Sequence, residues 1–559
     1  MIMETIIIGT RGSRLSLVQT EIVVDKIKRI FPTLGVKVEV IKTLGDVKKN
    51  MKLDGTEQKG VFVKDIDRRL IEGKIDLAVH SLKDIPTKLS DAVKIGAIVE
   101  RGDPRDVLIS NGNKKLKDLK KNAKIGTSSL RRKSQMLAFR KDLKIIEMRG
   151  NVDKRLAELD AGNYDAIVLA ASGIERLGEA NRISEYLPFN VMLPAPGQGA
   201  LAIGIRSDDK TMTDIVSKLD DGKIRAAVEA ERVTLSRIGG GCNALLGIFA
   251  EVKEGKLYIN AAVTSNNGNR KYRYKQEGDI KFPEEAGLML AEKILMSGAA
   301  NIVGSKKQRS PLNGKIVAVT REEGEGEGIY QMLLEKGAVP VYFPTIKTVD
   351  LQGKKSDIRP ATLKKYDIII ITSRRGASML LKYVNAAAIK ARIVAIGRET
   401  KRYLQENGTT VDYMPESFYS NNIISGLTDI KGKKILIINS AKATNKLLEE
   451  LINKGGKVDR ITPYTITKPN ISKTRKKAII GYKFDFVTFA SPSAVEGFIS
   501  ILGKRNAGQI LANSKVVCIG DTTSKKCADE EITVHMVSEE HTLSGIVSCI
   551  ENSSSKGHK

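Results

Sequence analysis

Tryptophan is missing from the 559 residues, aromatics make up 5%, and there are four cysteines, Cys242, Cys518, Cys527 and Cys549. With so few aromatic side chains, stacking platforms for single-stranded nucleic acid are poorly supplied. Four cysteines with no close spacing do not make a disulfide framework. No apolar run approaches the roughly 18 residues a membrane helix needs. The opening MIMETIIIGTRGSR has neither a basic first segment nor a long apolar one, so no signal peptide is expected, and the cytoplasm is the expected compartment. No metal-ligand spacing is found, and no zinc-finger, helix-turn-helix or RNA-recognition spacing.

What is abundant is positive charge. There are 93 Lys+Arg against 65 Asp+Glu, a net of +28. The excess is spread: residues 1–309 hold 55 basic and 40 acidic residues, residues 310–559 hold 38 and 25. It suits polyanionic small molecules or simply a solvated surface, and nucleic acid is the poorer reading. Hydrophobic residues at 41% and charged residues at 28% fit packed globular domains, about three to five at this length.

The polar, basic stretch Ser305–Gly314 (SKKQRSPLNG) reads as a linker. On both sides short β-branched runs alternate with amphipathic stretches, the pattern of α/β domains. Strands are expected at Thr5–Gly9, Ile75–His80, Ala123–Gly126 and Ala166–Ala170, and after the linker at Ile316–Thr320, Ile368–Thr372, Ile393–Gly397, Lys434–Asn439, Phe486–Ala490 and Val516–Gly520. The tail Glu551–Lys559 reads as disordered.

One internal echo stands out. TIIIG runs into GTRGSR at Gly9–Arg14, and AKIG runs into GTSSLRR at Gly126–Arg132. Each is a strand, a Gly-Thr turn, a small hydroxyl residue and a helix-like segment. Ser13 and Ser129 are thereby placed at helix N-termini, where free N–H groups favour anions; each alone is equally read as an N-cap. Two such half-sites suggest two similar lobes facing one cleft. A helix at Val63–Glu72 leads to a buried strand ending in a polar loop with Ser81, Lys83 and Asp84, at the strand end where open α/β sheets place ligand groups. Spacing alone favours reading Lys83 and Asp84 as a surface ion pair. Residues 101–150 hold 15 basic against 5 acidic residues. Lys114–Lys124 reads as an exposed face, whereas Arg131, Arg132, Arg149, Arg155 and Arg176 stand at successive strand–helix junctions, suited to planar carboxylates. Cys242, in RIGGGC, is either a buried small hydrophobe or an accessible thiol given room by three glycines.

Together GTRGSRLSLVQT, KGVFVKDID, DLAVHSLKDIPT, GTSSLRRKSQ, RGNVDKRL, LAASGIERLG, LPAPGQGALAIG and ERVTLSRIGGGC resemble the porphobilinogen deaminase (hydroxymethylbilane synthase) family, in family order over about residues 5–303. The resemblance implies a dipyrromethane cofactor joined by thioether to Cys242. It implies that Asp84 holds pyrrole nitrogens and assists ammonia departure, with Lys83 beside it. Ser13, Lys83, Thr127, Ser129, Arg131 and Arg132 would hold the cofactor. Arg11, Phe62, Ser81, Arg149, Arg155, Arg176 and Gln198 would hold or flank the substrate and growing chain. Ala244-Leu245 departs from the family's usual small β-branched residue and proline after the cysteine. The chemistry is consistent: loss of ammonia from an aminomethylpyrrole leaves an electron-poor azafulvene that a carboxylate stabilises, and each substrate brings two carboxylates.

Past the linker IVAVTR, IIITSR, AIGRETKRYL, PESFYSNNIISGL, FVTFASPSAVE and VCIGDTTSK resemble uroporphyrinogen-III synthase over about residues 311–550. ITSRRGA departs from the usual Ser-x-Asn-Ala pattern at Arg374 and Arg375. The resemblance implies two flavodoxin-like lobes joined by two crossings. Tyr464 matches a family tyrosine that assists hydroxyl loss, a core tyrosine being the other reading. Thr372, Ser373, Ser491, Ser493, Thr522 and Thr523 follow strands and suit either carboxylate binding or helix capping. His535 and His541 lie in poor context for a catalytic pair.

The expected architecture is therefore α/β: 1–100 plus 196–217 as one periplasmic-binding-protein-like lobe, 101–195 as the second, and 218–304 as a small α/β domain carrying the cofactor. The linker 305–314 then leads to 315–345 plus 465–550 and 346–464 as the two synthase lobes. The expected function is bifunctional: four porphobilinogens are condensed to hydroxymethylbilane with loss of ammonia, which is then closed to uroporphyrinogen III with inversion of the last ring. A monomer with no nucleic acid or membrane partner is expected. The alternatives are a deaminase with an inactive or regulatory C-terminal part, or a bilobal carboxylate-binding protein.

Overall fold

The computed structural model describes residues 4–42, 63–239, 245–303, 310–322, 327–351, 360–415, 423, 426–427 and 429–555. Among the described residues, ten strands precede residue 207: β1 Thr5–Arg11, β2 Gly35–Ile41, β3 Leu77–Ser81, β4 Val93–Arg101, β5 Asp106–Ser110, β6 Lys124–Gly126, β7 Lys144–Ile146, β8 Ala166–Ala170, β9 Glu185–Tyr186 and β10 Ala200–Arg206. They form two sheets of one design. The first has the order β2-β1-β3-β10-β4 and the second β7-β6-β8-β5-β9. In each, three parallel strands are followed by an antiparallel fourth; in the first sheet that fourth strand, β10, comes only after the chain has returned from the second sheet. The echoed motifs occupy equivalent places, at the ends of β1 and β6. The five residues of β8 are all buried, as expected of a strand covered on both faces.

The two crossings between the sheets touch at Gly102 and Gly199. The Gly102 amide donates to the Gly199 carbonyl at 3.2 Å. Gly199 has φ +88°, and a Cβ there would stand 2.6 Å from the Gly102 oxygen, so only glycine lets the crossings approach.

Strands β11 Leu246–Lys253, β12 Lys256–Thr264 and β13 Lys271–Asp279 make an antiparallel meander, covered by the helices Gly222–Arg237 and Pro283–Leu295. Beyond the linker come β14 Ile316–Val319, β15 Val339–Tyr342, β16 Lys347–Asp350, β17 Ile368–Ile371, β18 Arg392–Ala395, β19 Lys434–Ser440, β20 Lys457–Thr467, β21 Phe486–Phe489, β22 Lys515–Cys518 and β23 Met536–Val537. The fourth sheet, β15-β14-β21-β22-β23, is parallel throughout and has the doubly wound 2-1-3-4-5 order. The fifth, β16-β20-β19-β17-β18, repeats that winding with β16 antiparallel at its edge.

Two sequence expectations need correction. The tail is helical as far as Ser555, within Leu543–Ser555. Ile550 is fully buried, and Glu551 pairs with Lys336 at 2.6 Å, which docks the last turns on the fourth sheet's lobe. The cysteines are also closer than their spacing suggests: Cys518 and Cys527 are buried with sulfurs 3.6 Å apart, because β22 turns directly into the helix Asp521–Asp529. Among the described residues no helix is long and apolar enough to cross a membrane, and no group of His, Cys, Asp or Glu could hold a metal ion.

Candidate active site

The motif residues of the first two sheets sit at the strand ends that face one another. Ser13 caps the helix Arg14–Ile30 by accepting from the Ser16 amide at 3.2 Å. Ser129 caps the helix Leu130–Phe139, accepting from the Arg132 amide at 3.4 Å. Thr127 is buried and accepts from the Ser129 amide at 3.2 Å. Both hydroxyls thus act as caps here. Ser81, at the end of β3, is held by the buried Gln19, whose amide nitrogen lies 3.0 Å away. Asp84 is exposed in the turn Leu82–Asp84 that follows.

Lys83 is half-buried between the lobes. Desolvation pushes its ammonium down to about 8, and among the charges around it are Asp84 on its own turn and Arg132, Asp106 and Arg131 from the facing lobe. Lys83 therefore marks where the lobes converge. His80, one turn back and buried, is pushed down to about 4, first by burial and then by Arg11, so it is neutral at pH 7.

The facing lobe is organised around Asp106, the first residue of β5, which is fully buried. Arg131 donates to it at 2.6 Å and Arg132 at 2.8 and 3.0 Å. Arg131 also donates to the Leu193 carbonyl and Arg132 to that of Val168. Burial raises the Asp106 carboxyl, but the two guanidiniums outweigh it and hold the carboxyl well below the usual carboxylate range. One carboxylate against two guanidiniums leaves a local surplus of one positive charge, suited to an anionic ligand. Gln198 joins this hub: it is buried, and its amide nitrogen donates to Asp106 at 3.0 Å and to the Pro104 carbonyl at 2.8 Å. Its Oε1 is buried and has no hydrogen-bond partner among the described residues, an acceptor left for a donor.

The remaining arginines have different surroundings. Arg155 donates to the Gly150 carbonyl at 2.8 Å; burial first, then Arg132, push it down to about 10, so it keeps its charge at neutral pH. Arg149 is exposed and pairs with Glu147. Arg176 is engaged at the crossing, donating to Gly199 O at 2.9 Å and Glu100 at 3.1 Å. Phe62 and Cys242 lie outside the described residues.

Sequence reasoning missed Asp106. Its signal was a single acidic residue opening the otherwise apolar run VLIS, which demands a buried cation. It also missed Glu231, fully buried, which accepts from Arg101 at 2.9 Å and from the Gly197 and Ala250 amides at 2.6 and 2.7 Å. That residue ties the small domain to the crossing.

Past the linker, Tyr464 is buried on β20 with its hydroxyl 2.8 Å from Ser373 Oγ. Ser373 caps the helix Arg374–Tyr383 and Ser491 caps Pro492–Leu502. Thr372 follows β17, with its hydroxyl 3.4 Å from the Ile438 carbonyl. Ser493 lies in the first turn after Ser491, Thr522 is exposed and Thr523 buried in the first turn after Gly520. Arg375 pairs with Asp350 at 2.8 Å, and Arg374 lies over the Tyr403 ring. His535 Nδ1 accepts from the Val516 amide at 3.1 Å.

Residues 6–214 match the family model described as porphobilinogen deaminase, dipyromethane cofactor binding domain, and residues 225–296 that of the porphobilinogen deaminase C-terminal domain. The chain is 43% identical over 291 residues to the porphobilinogen deaminase of Clostridioides difficile, covering 97% of that protein and 52% of this chain. The chain belongs to the porphobilinogen deaminase family. To the deaminase of Geobacillus kaustophilus it is 43% identical over 307 residues, covering 99% of that protein and 55% of this chain. Residues 329–548 match the model of uroporphyrinogen-III synthase HemD, so a synthase part is joined to the deaminase part in one chain. Among solved structures it is similar to uroporphyrinogen III synthase of Thermus thermophilus (16% identity, TM-score 0.35, 44% of this chain and 100% of that one). The Helicobacter pylori enzyme gives 16% identity and TM-score 0.31, over 42% of this chain and 96% of that one.

Proposed function

We infer that this chain is a bifunctional enzyme of tetrapyrrole biosynthesis, which condenses four porphobilinogens into hydroxymethylbilane, releasing ammonia, and closes that product to uroporphyrinogen III with inversion of the last ring. The observation that carries the reading is the joining of the two family matches in one chain, with Lys83 of one deaminase lobe set against the Asp106–Arg131–Arg132 hub of the other.

The residues present fit a dipyrromethane with acidic side arms. The hub carries surplus positive charge, Gln198 Oε1 awaits a donor, and the Ser13 and Ser129 helix starts face the same cleft. When bound through Cys242, the dipyrromethane supplies the pyrrole position to which each new unit is added. Around it, Lys83, Arg131 and Arg132 hold carboxylates, and Ser13, Thr127 and Ser129 offer hydroxyls. Asp84, on an exposed turn at the strand end, faces the developing positive charge, accepts from pyrrole N–H groups and moves the proton that leaves with ammonia. Arg11, Ser81, Arg149, Arg155 and Arg176 hold the acetate and propionate groups of the incoming unit and growing chain. Phe62 and Gln198 flank it.

In the synthase part, Tyr464 lends its proton to the departing hydroxyl, steadied by Ser373. The hydroxyls of Ser373, Ser491 and Thr522 orient the bilane's carboxylates, so that positioning supplies most of the rate. The domain division is proposed at the boundaries read from the sequence. The enzyme is proposed to act as a cytoplasmic monomer without nucleic-acid or membrane partners. One assay tests both activities: the purified chain is incubated with porphobilinogen and the oxidised uroporphyrin isomers are separated. Isomer III is expected; isomer I alone would overturn the synthase reading, and no porphyrin would overturn both.

A further inference from the structure

The deaminase and synthase parts are joined by more than the linker. Arg237 ends the helix Gly222–Arg237 of the small deaminase domain and is 6% exposed. Its guanidinium lies over two tyrosine rings of the synthase part, 4.9 Å from the Tyr330 centroid and 4.7 Å from that of Tyr342. It donates to Glu327 at 2.6 Å, and the Tyr330 hydroxyl donates back to the Arg237 carbonyl at 3.0 Å. Two residues on, Gly239 turns with φ +72°, and a Cβ there would meet Leu334 of the synthase part at 3.0 Å.

A second tie lies on the neighbouring helix. Glu292, 1% exposed, receives both arms of Arg475 at 2.5 and 2.6 Å and the Tyr482 hydroxyl at 2.9 Å. Val339 of β15 belongs to the small domain's own apolar core, with Leu334 and Ile316 packed against it. A buried guanidinium and a buried carboxylate, each with its counter-charge supplied by the other part, make separation costly, since each would be left buried without its partner.

Arg237 stands five residues before Cys242. We propose that the synthase part is a positioning surface for the deaminase: Glu327, Tyr330 and Tyr342 clamp the end of the helix that stops five residues before Cys242, so that deaminase turnover depends on synthase residues remote from either reaction site. The inference rests on the deaminase reading for what Cys242 carries; the clamp itself is read from the contacts above. A pinned helix end fixes where the chain sets out toward Cys242, and chain extension tolerates little misplacement of the reacting atoms.

The test uses the full chain with Glu327→Gln and with Glu327→Gln combined with Tyr330→Leu. Amide hydrogen exchange over residues 232–239 is expected to quicken at least tenfold in the double variant. The kcat for porphobilinogen consumption is expected to fall about fivefold with KM within twofold, and intact mass at limiting substrate should show chains stalled with one to three added units. Ring closure of supplied hydroxymethylbilane, staying within twofold, shows that the synthase lobe remains folded; if the double variant loses it, Glu327→Gln decides by the same readouts. Unchanged kcat and an unchanged distribution of stalled chains, with ring closure retained, would overturn the proposal whatever the exchange rates. A wild-type chain whose mass carries no pyrroles would instead sink the deaminase reading, and the exchange result would still stand on its own.

Discussion

The hydroxyl of Tyr464 and that of Ser373 stand 2.8 Å apart, joining the edge of β20 to the first residue before the helix Arg374–Tyr383. Ser373 also accepts from the Gly376 amide at 3.0 Å, so one oxygen both caps a helix and orients a phenol. Tyr464→Phe is expected to slow ring closure by about 10²-fold, the lower end for a lost general acid. Isomer I should then replace isomer III in the porphyrin product. Ser373→Ala should cost about 1 kcal/mol of stability from the lost cap and move isomer ratio the same way. Chromatography of the isomers and a urea titration check both.

Asp84 is exposed on its turn, so Asp84→Asn should leave the urea midpoint within about 0.5 kcal/mol of the parent. Its turnover should nevertheless fall by about 10²–10⁴-fold, the range for a removed acid–base group. Ammonia release measured on chains of known intact mass separates a catalytic loss from a missing cofactor.

Lys83 gives a pH signature. Desolvation brings its ammonium to about 8 from an ordinary 10.5. KM for porphobilinogen should rise as pH passes upward through about 8, where the charge that meets carboxylates disappears. Lys83→Arg should remove that alkaline limb, because a guanidinium stays charged. The stability effect has the opposite sense: between about 8 and 10.5 the unfolded chain binds the extra proton, so this residue's contribution to stability rises with pH. Initial rates and urea midpoints from pH 7 to 10 test the pair of trends.

Asp106 is the buried counter-charge of Arg131 and Arg132, and Asp106→Asn should destabilise the chain by about 3–5 kcal/mol by leaving two guanidiniums uncompensated. Burial favours its neutral form, the arginines favour the anion more, and its folded value lies far below the ordinary 3.8. Its stabilisation is therefore complete above about pH 4 and is lost progressively as pH falls below that. Urea midpoints between pH 6 and 3 should show this acid slope in the parent and a shallower one in the variant.

Much of the architecture was legible because parallel strands covered on both faces read as unbroken β-branched runs. Thr5–Arg11, Ala166–Ala170 and Ile368–Ile371 are examples. The GTRGSR and GTSSLRR echo was legible as well, since it marks equivalent strand-to-helix turns in two sheets of one design. Partners far apart in the chain were not. Arg131 and Arg132 read as carboxylate binders, and nothing in their own segment names the internal partner Asp106, 25 residues before Arg131. Arg176 read the same way, although its guanidinium lies at the crossing beside Gly199. The polar ENSSS read as tail because its helix is held by Lys336, more than two hundred residues upstream. Arg237 carries no signal in its own segment, since its partners Glu327, Tyr330 and Tyr342 come from the other half of the protein.

The antiparallel fourth strand of the first deaminase sheet bears on how the chain leaves the ribosome. Strand β10 completes the first sheet, yet it is made only after the whole of the second has emerged. The same holds further on, where β14 and β15 await β21 across the intervening fifth sheet. A nascent chain paused before residue 200 carries a closed second lobe beside a first lobe with β3 bare along one edge, an adhesive surface for other nascent chains until synthesis resumes.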